Sequence, residues 1–186
     1  MESTLHRHQE SFSQPRSLEA KRYDDAYRTH KQDLKVTASR IRDEAVSYRE
    51  FKVGCALLAE APEGKTVDYT IHFGYNFKPV KGSEKLCAER NAFESAIGDQ
   101  SPHIIAIVTV SQETSTGDPN QSHSVLHPCD MCRTMLMDYR ERGVISGDTI
   151  ICCVNDGEGT EAEEECTVDQ LLARYNDSSI PAQAVA

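Results

Sequence analysis

Apolar positions are scarce in residues 1–32, which are rich in Ser, Gln, His and charge and show no sustained apolar period. The stretch reads as a tail, partly helical at "SLEAKRYDDAYRTH". From Leu34 the pattern changes. Leu34, Ala38, Ile41, Ala45 and Tyr48 recur at three- and four-residue steps, which predicts an amphipathic helix with one buried face. "FKVGCALLAE" then predicts a strand, "APEGK" a turn and "TVDYTIHFGYN" a second, alternating strand, so the pair reads as an antiparallel hairpin. A helix fits "CAERNAFESAIG", closed by Gly98 as a cap. "HIIAIVTV" is apolar on both faces, as an inner strand of a covered sheet requires. The polar "SQETSTGDPNQSHSV" reads as a loop, and "CDMCRTMLMDYRERG" as a helix ending at Gly143. "DTIICCVN" predicts a further buried strand, the acidic "DGEGTEAEEEC" a solvated loop and "TVDQLLARY" a short terminal helix. The order α-β-β-α-β-α-β-α implies a three-layer α/β sandwich around a mixed sheet. The expected organisation is a tail over residues 1–32 and one folded domain over 33–186, with no internal repeat.

Composition narrows the class. A chain of 186 residues with 38% hydrophobic and 27% charged residues suits one domain with one substantial core. The longest apolar run, "IIAIVTV", is too short to span a bilayer, and "MESTLHRHQE" has no apolar stretch behind a basic start. A cytoplasmic setting follows, where thiols stay reduced and seven cysteines argue against a disulfide framework. The net charge of −10 is uneven: residues 1–50 hold 10 Lys/Arg against 9 Asp/Glu, and residues 51–186 hold 10 against 21. That acidity weighs against a polynucleotide partner and favours a small substrate.

The candidate chemistry sits in "KLCAERNAFE" and "HPCDMCRTML". Cys129 and Cys132 form a C-x-x-C behind Pro128, a residue suited to the first turn of a helix. At that spacing two thiolates lie on one side of a helix start. Cys87 also falls at a predicted helix start, so two positive dipole ends would favour thiolate over thiol at one spot. Three thiolates leave one position of tetrahedral zinc open, the feature that separates catalytic from structural sites. Glu89, two residues past Cys87, is placed to exchange protons with a water there without binding the metal. Arg90 and Arg133, each one residue past a cysteine, are expected to hydrogen-bond the sulfurs and offset their charge. A structural zinc with His127 as fourth ligand stays open at this point. Cys55, Cys152, Cys153 and Cys166 read as core, and Met131, Met135 and Leu136 as core or subunit interface.

At these residues the chain resembles the cytidine deaminase family, including its blasticidin-type relatives, over roughly Leu34 to Tyr175. "YREFKVGCALL" is similar to that family's Y-x-x-F-x-V-G-A-A-L-L, "LCAERNA" to its C-A-E-R, "PCDMCR" to its P-C-G-x-C-R and "TVDQLL" to its T-V-x-E-L-L. The resemblance implies an α/β/α sandwich on a mixed five-stranded sheet, Zn2+ on Cys87, Cys129 and Cys132, and Glu89 as proton shuttle. It also implies Phe51 against the base, Asn76 on the ribose, the Ala88 backbone on the pyrimidine, and a homo-oligomer. The expected activity is hydrolytic deamination of a cytosine nucleoside to the uracil form with release of ammonia. A catalytically silent interaction module is the alternative from another class.

One element departs from the family. Where its members carry G-x-N-x-E-N, "GYNFKP" keeps Asn76 but has Lys78 in place of Glu and Pro79 in place of the second Asn. A lysine cannot accept a hydrogen bond from a sugar hydroxyl, but it attracts a phosphate or carboxylate. The deamination site thus reads as intact and the sugar end as changed, with a nucleotide or a blasticidin-like compound as alternative substrate.

Overall fold

The computed structural model describes residues 17–47, 51–61, 67–99, 103–112, 125–157 and 162–176. The turn expected after Ala61, most of the loop expected after Val110 and residues 1–16 of the expected tail lie outside them.

Helix α1 (Leu18–Asp43) is the largest departure from the sequence reading. Ser17 starts it, its Oγ accepting from the Ala20 amide at 2.9 Å. The helix runs unbroken past residue 32, so the expected boundary between tail and domain falls inside it. Tyr23, Ala26 and Tyr27 extend the Leu34–Ala38 stripe backwards, and both tyrosines are wholly buried. Their hydroxyls are partnered: Tyr23 donates to Glu19 at 2.7 Å and Tyr27 to Glu165 at 2.7 Å. The segment looks polar because the stripe it buries is narrow and made of tyrosine and alanine.

The main sheet holds β2 (Val53–Ala61), β3 (Asp68–Tyr75), β5 (His103–Ser111), β6 (Ile145–Asn155) and β7 (Ala162–Thr167). A separate two-residue pair, β1 (Val46–Ser47) and β4 (Phe77–Lys78), runs parallel beside it. The main order is β3-β2-β5-β6-β7; β5 and β6 are parallel and the other neighbours antiparallel. Helix α1 covers one face, and α2 (Ala88–Gly98), α3 (Asp130–Glu141) and α4 (Val168–Asn176) cover the other. This is the α/β/α sandwich on a mixed five-stranded sheet. Strand β2 shows why both faces bury: Cys55, Leu57 and Ala59 meet Phe93 and Leu136, while Ala56 and Leu58 meet Tyr23, Tyr27 and Leu34. A Cβ at Gly54 would stand 2.0 Å from the Ala38 carbonyl oxygen, so glycine lets α1 lie directly on the sheet.

Two boundaries differ from expectation. Gly98 remains the last residue of α2 and Asp99 caps it. The acidic loop expected after Asn155 contains β7, an edge strand whose alternation is written in charge. Glu163 and Glu165 reach α1: Lys35 pairs with Glu163 at 2.9 Å, Arg28 with Glu165 at 2.7 Å and Lys31 with Glu165 at 2.8 Å. Glu164 turns the other way, to Arg174 and to His127. Charged edges of this kind also discourage edge-to-edge pairing.

Candidate metal centre

Both cysteine stretches begin helices. Cys87 is the N-cap of α2 and Cys129 the N-cap of α3, each with extended backbone and neither with a side-chain capping bond. A serine or aspartate there would give its oxygen to helix amides. A sulfur keeps its lone pairs for a metal while the helix dipole still favours its anionic form. Cys132, one turn into α3, faces the same way as Cys129. The Cys87 and Cys129 sulfurs lie 3.5 Å apart and those of Cys129 and Cys132 3.6 Å apart. All three are within 4.8 Å of one another. Tetrahedral zinc with bonds of about 2.3 Å has corners roughly 3.8 Å apart, so three sulfurs at these separations fit three of its corners.

Among the described residues no fourth His, Cys, Asp or Glu joins this group. His127, the candidate fourth ligand, directs Nε2 to Glu164 at 3.2 Å. A second group, Cys152 with Glu163 and Glu165, is equally compact. Its carboxylates already pair with Lys31, Lys35 and Arg28, which makes it an ion-pair network.

Three crowded sulfurs resist simultaneous ionisation unless a cation joins them. The Cys87 thiol is pushed up to about 11, chiefly by its hydrogen bond with Cys129. That of Cys132 is raised by Cys129 and Cys87, whereas Cys129 is lowered by its bonds with Cys132 and Cys87. Glu89, half-buried in the first turn of α2, has its carboxyl raised above the ordinary range by desolvation. The Lys85 ammonium acts oppositely, lowering both Glu89 and Cys129.

The arginines expected at the sulfurs are placed otherwise. Arg133 donates from Nη1 to the Pro128 carbonyl at 2.6 Å, pairs with Asp130 and stacks 3.6 Å above the Tyr175 ring. Asp130, one turn away, and Tyr175 of α4 thus hold the guanidinium, and no hydrogen bond from it to a sulfur is seen among the described residues. Arg133 therefore anchors the loop before Cys129. Arg90 is half-buried and makes no hydrogen bond to a sulfur among the described residues.

Ala88 is buried in the first turn of α2, against β3: a Cβ at Gly74 would lie 2.7 Å from the Ala88 carbonyl oxygen and 2.3 Å from the Ala92 amide. Sequence reasoning missed Gly74 as a positioning residue, although it opens "GYNFKP". Asn76 is buried, its Oδ1 accepting from the Val53 amide at 2.7 Å and its Nδ2 donating to the Phe51 carbonyl at 2.8 Å. One donor and one acceptor position of that amide thus fasten the approach to β2. Phe51 is half-buried against the core that holds α2 and α3. Lys78 is half-buried on β4, with Ser47 of β1 as its pairing partner.

A mixed α/β/α sandwich carrying three cysteine sulfurs at two facing helix starts defines a zinc-binding α/β protein of deaminase type. The model of the cytidine and deoxycytidylate deaminase zinc-binding region matches residues 28–147, well over half of the chain, and the protein belongs to that family. Comparison with curated proteins finds no match. Among solved structures, the chain is similar to a cytidine deaminase from Burkholderia pseudomallei, at 22% identity and a TM-score of 0.58, over 75% of this chain and 94% of that one. It is also similar to a cytidine deaminase from Mycobacterium leprae, at 18% identity and a TM-score of 0.48, over 76% of this chain and 95% of that one. No described helix is long and apolar enough to cross a membrane, and all seven cysteines are free.

Proposed function

We propose that the protein is a zinc-dependent hydrolytic deaminase of a free cytosine nucleoside or a close derivative, converting it to the uracil form with release of ammonia. The observation that carries this is the half-buried Glu89 in the same helical turn as a three-sulfur centre with no fourth protein ligand among the described residues. A purely structural site has no use for a carboxylate beside its open corner.

Cys87, Cys129 and Cys132 would hold the ion. Zinc, when bound, supplies a water acidic enough to ionise near pH 7. Glu89 takes a proton from the attacking water and passes it to the ring nitrogen N3. As the water oxygen bonds to C4, Glu89 takes the remaining hydroxyl proton and gives it to the amino group, so that C4=O forms while the C4–N bond breaks and ammonia leaves. Desolvation of its carboxyl, which raises its affinity for a proton, suits it to both halves of that relay. Phe51 packs against the base, the Ala88 backbone hydrogen-bonds the pyrimidine, and Asn76 lines the sugar end. Arg90 adds positive charge outside the sulfurs, and Arg133 keeps the Cys129 loop in place. A homo-oligomer and a cytoplasmic setting belong to the same reading, from the resemblance and the reduced thiols respectively; sedimentation velocity tests the first and fractionation the second.

The experiment is Glu89→Ala in the zinc-loaded protein. Ammonia release should fall by about 10²–10⁴-fold, the range general acid–base groups contribute, while zinc stays near one ion per chain. An unchanged rate removes the mechanism. Normal zinc with no activity toward any cytosine compound in the wild type would favour the interaction module.

A further inference from the structure

Helix α4 is a fixed arm. Thr167 and Gln170 close a reciprocal box at its start: the Thr167 amide donates to the Gln170 Oε1 at 2.9 Å, and the Gln170 amide donates to the Thr167 Oγ1 at 3.2 Å. Val168, Leu171 and Leu172 then bury in the core that also holds α2 and α3. The last turn carries Arg174 and Tyr175 at the surface.

That turn reaches the side chains on either side of the C-x-x-C. Tyr175 stacks 3.6 Å from the Arg133 guanidinium, and Arg133 donates at 2.6 Å to the Pro128 carbonyl, the peptide that leads into Cys129. Arg174 pairs with Glu164 of β7, and Glu164 holds His127 Nε2 at 3.2 Å. A carboxylate only accepts, so Nε2 carries the proton in that bond. The His127 Nδ1 is buried without a partner among the described residues, which leaves Glu164 to orient the ring. Cys87 is set elsewhere, by the contact of α2 with β3 at Gly74. The two halves of the sulfur centre thus stand on separate supports.

We propose that Tyr175 and Glu164 are positioning residues for the metal centre, acting through Arg133 and His127 to hold the Cys129 sulfur in register with that of Cys87. The inference rests on the zinc reading of the three sulfurs and adds residues from elements that supply no ligand. The Tyr175 ring fixes the plane of the guanidinium and Asp130 its direction, which leaves one donor aimed at Pro128. Metal–ligand distances tolerate about 0.2 Å, so a loop that drifts at Cys129 loosens the grip on the ion.

Four variants of the full chain test this: Tyr175→Leu, Tyr175→Phe, Glu164→Ala and, as a control, Asp169→Asn. The control breaks the other pair between α3 and α4, at Arg140, about 12 Å along α3 from Cys132. Zinc affinity is read by chelator competition, and sulfur geometry by the visible absorption of the Co2+-loaded protein. Tyr175→Leu and Glu164→Ala should each weaken zinc by about 10-fold and shift the Co2+ bands. Tyr175→Phe keeps the ring and Asp169→Asn leaves the loop alone, so both should match wild type. With cytidine, the first two variants should lower kcat and leave KM unchanged. Wild-type metal readouts in Tyr175→Leu or in Glu164→Ala overturn the inference for that residue. An equal loss in Tyr175→Phe or Asp169→Asn overturns it as well, as does a metal defect that only tracks a lower urea midpoint of the apo form. Absence of ammonia from cytidine counts against the deaminase reading instead, and the two metal readouts still decide the positioning.

Discussion

The two faces of the sheet are held by different kinds of sequence. Under α2 and α3 the core is aliphatic and aromatic, and the helix starts that meet there are spent on sulfur and carboxylate chemistry. Under α1 the core is narrower, centred on Tyr23, Tyr27, Leu34 and Ala38, and its rim is an ion-pair ladder from α1 to β7. No α1 side chain is among the three sulfur ligands. Stability and chemistry are therefore separable, and variants on one face should leave the signature of the other intact.

The strongest way to break the comparison is Tyr27→Ala. The ring is wholly buried, and aromatic truncations of this kind cost about 3–5 kcal/mol. The midpoint of urea unfolding should drop accordingly, while the folded fraction still binds one zinc with unchanged affinity. If zinc affinity fell with stability, the faces would be coupled and the separation wrong.

A mid-sized effect is expected on the other face. At Gly74 an added Cβ meets backbone atoms of α2 at 2.3 and 2.7 Å, and neither the Ala92 amide nor the Ala88 carbonyl is free to swing aside. Gly74→Ala should cost about 1–3 kcal/mol as overpacking. Because the displaced turn carries Cys87 and Glu89, zinc affinity by chelator competition should fall about 10- to 100-fold as well. Gly98→Ala supplies the control: nothing lies within 4 Å of its added Cβ, so zinc affinity should stay at the wild-type value and stability should hold or rise by up to about 1 kcal/mol, as helical Gly→Ala changes do. Equal behaviour of the two variants would count against α2 being set by its contact with β3.

These differences follow what was legible in the sequence. The sulfur centre could be read because its spacing is local: Cys129 and Cys132 share one helical turn, and Cys87 and Glu89 share another. The faces of β2 could be read because alternation of apolar residues is local too. Strand β7 could not, since its alternation is among glutamates whose partners on α1 lie more than 120 residues away in sequence. Helix over the segment after Ser17 was legible, but its continuity into the domain and the burial of Tyr23 and Tyr27 were hidden, because tyrosine and alanine carry the buried stripe through a charged segment. The direction of Arg133 was hidden because Tyr175, onto which it stacks, arrives from another helix.

The smallest expected effect sharpens the rim of the α1 face. Burial raises the Glu165 pKa, but hydrogen bonds from Arg28, Lys31 and Tyr27 outweigh it and hold the carboxyl down to about 2 from an ordinary 4.5. A carboxyl depressed on folding contributes stability that is fully present above its unfolded value and is lost as pH falls through the folded one. The window is therefore about pH 4.5 down to 2. Glu163 and Glu164 are lowered as well and lose their contributions in the same direction. The Glu165 side chain keeps 24% of its surface exposed, and solvent screening reduces the shift to about 1–2 kcal/mol at neutral pH. Unfolding of wild type and Glu165→Gln by urea should differ by that amount at pH 7, and the gap should close as pH drops through the window. Zinc affinity at pH 7 should be the same in both, because this ladder lies on the α1 side of the sheet. A gap independent of pH would mean that Glu165 stabilises the edge by packing, and that the α1 face owes its hold to the tyrosines alone.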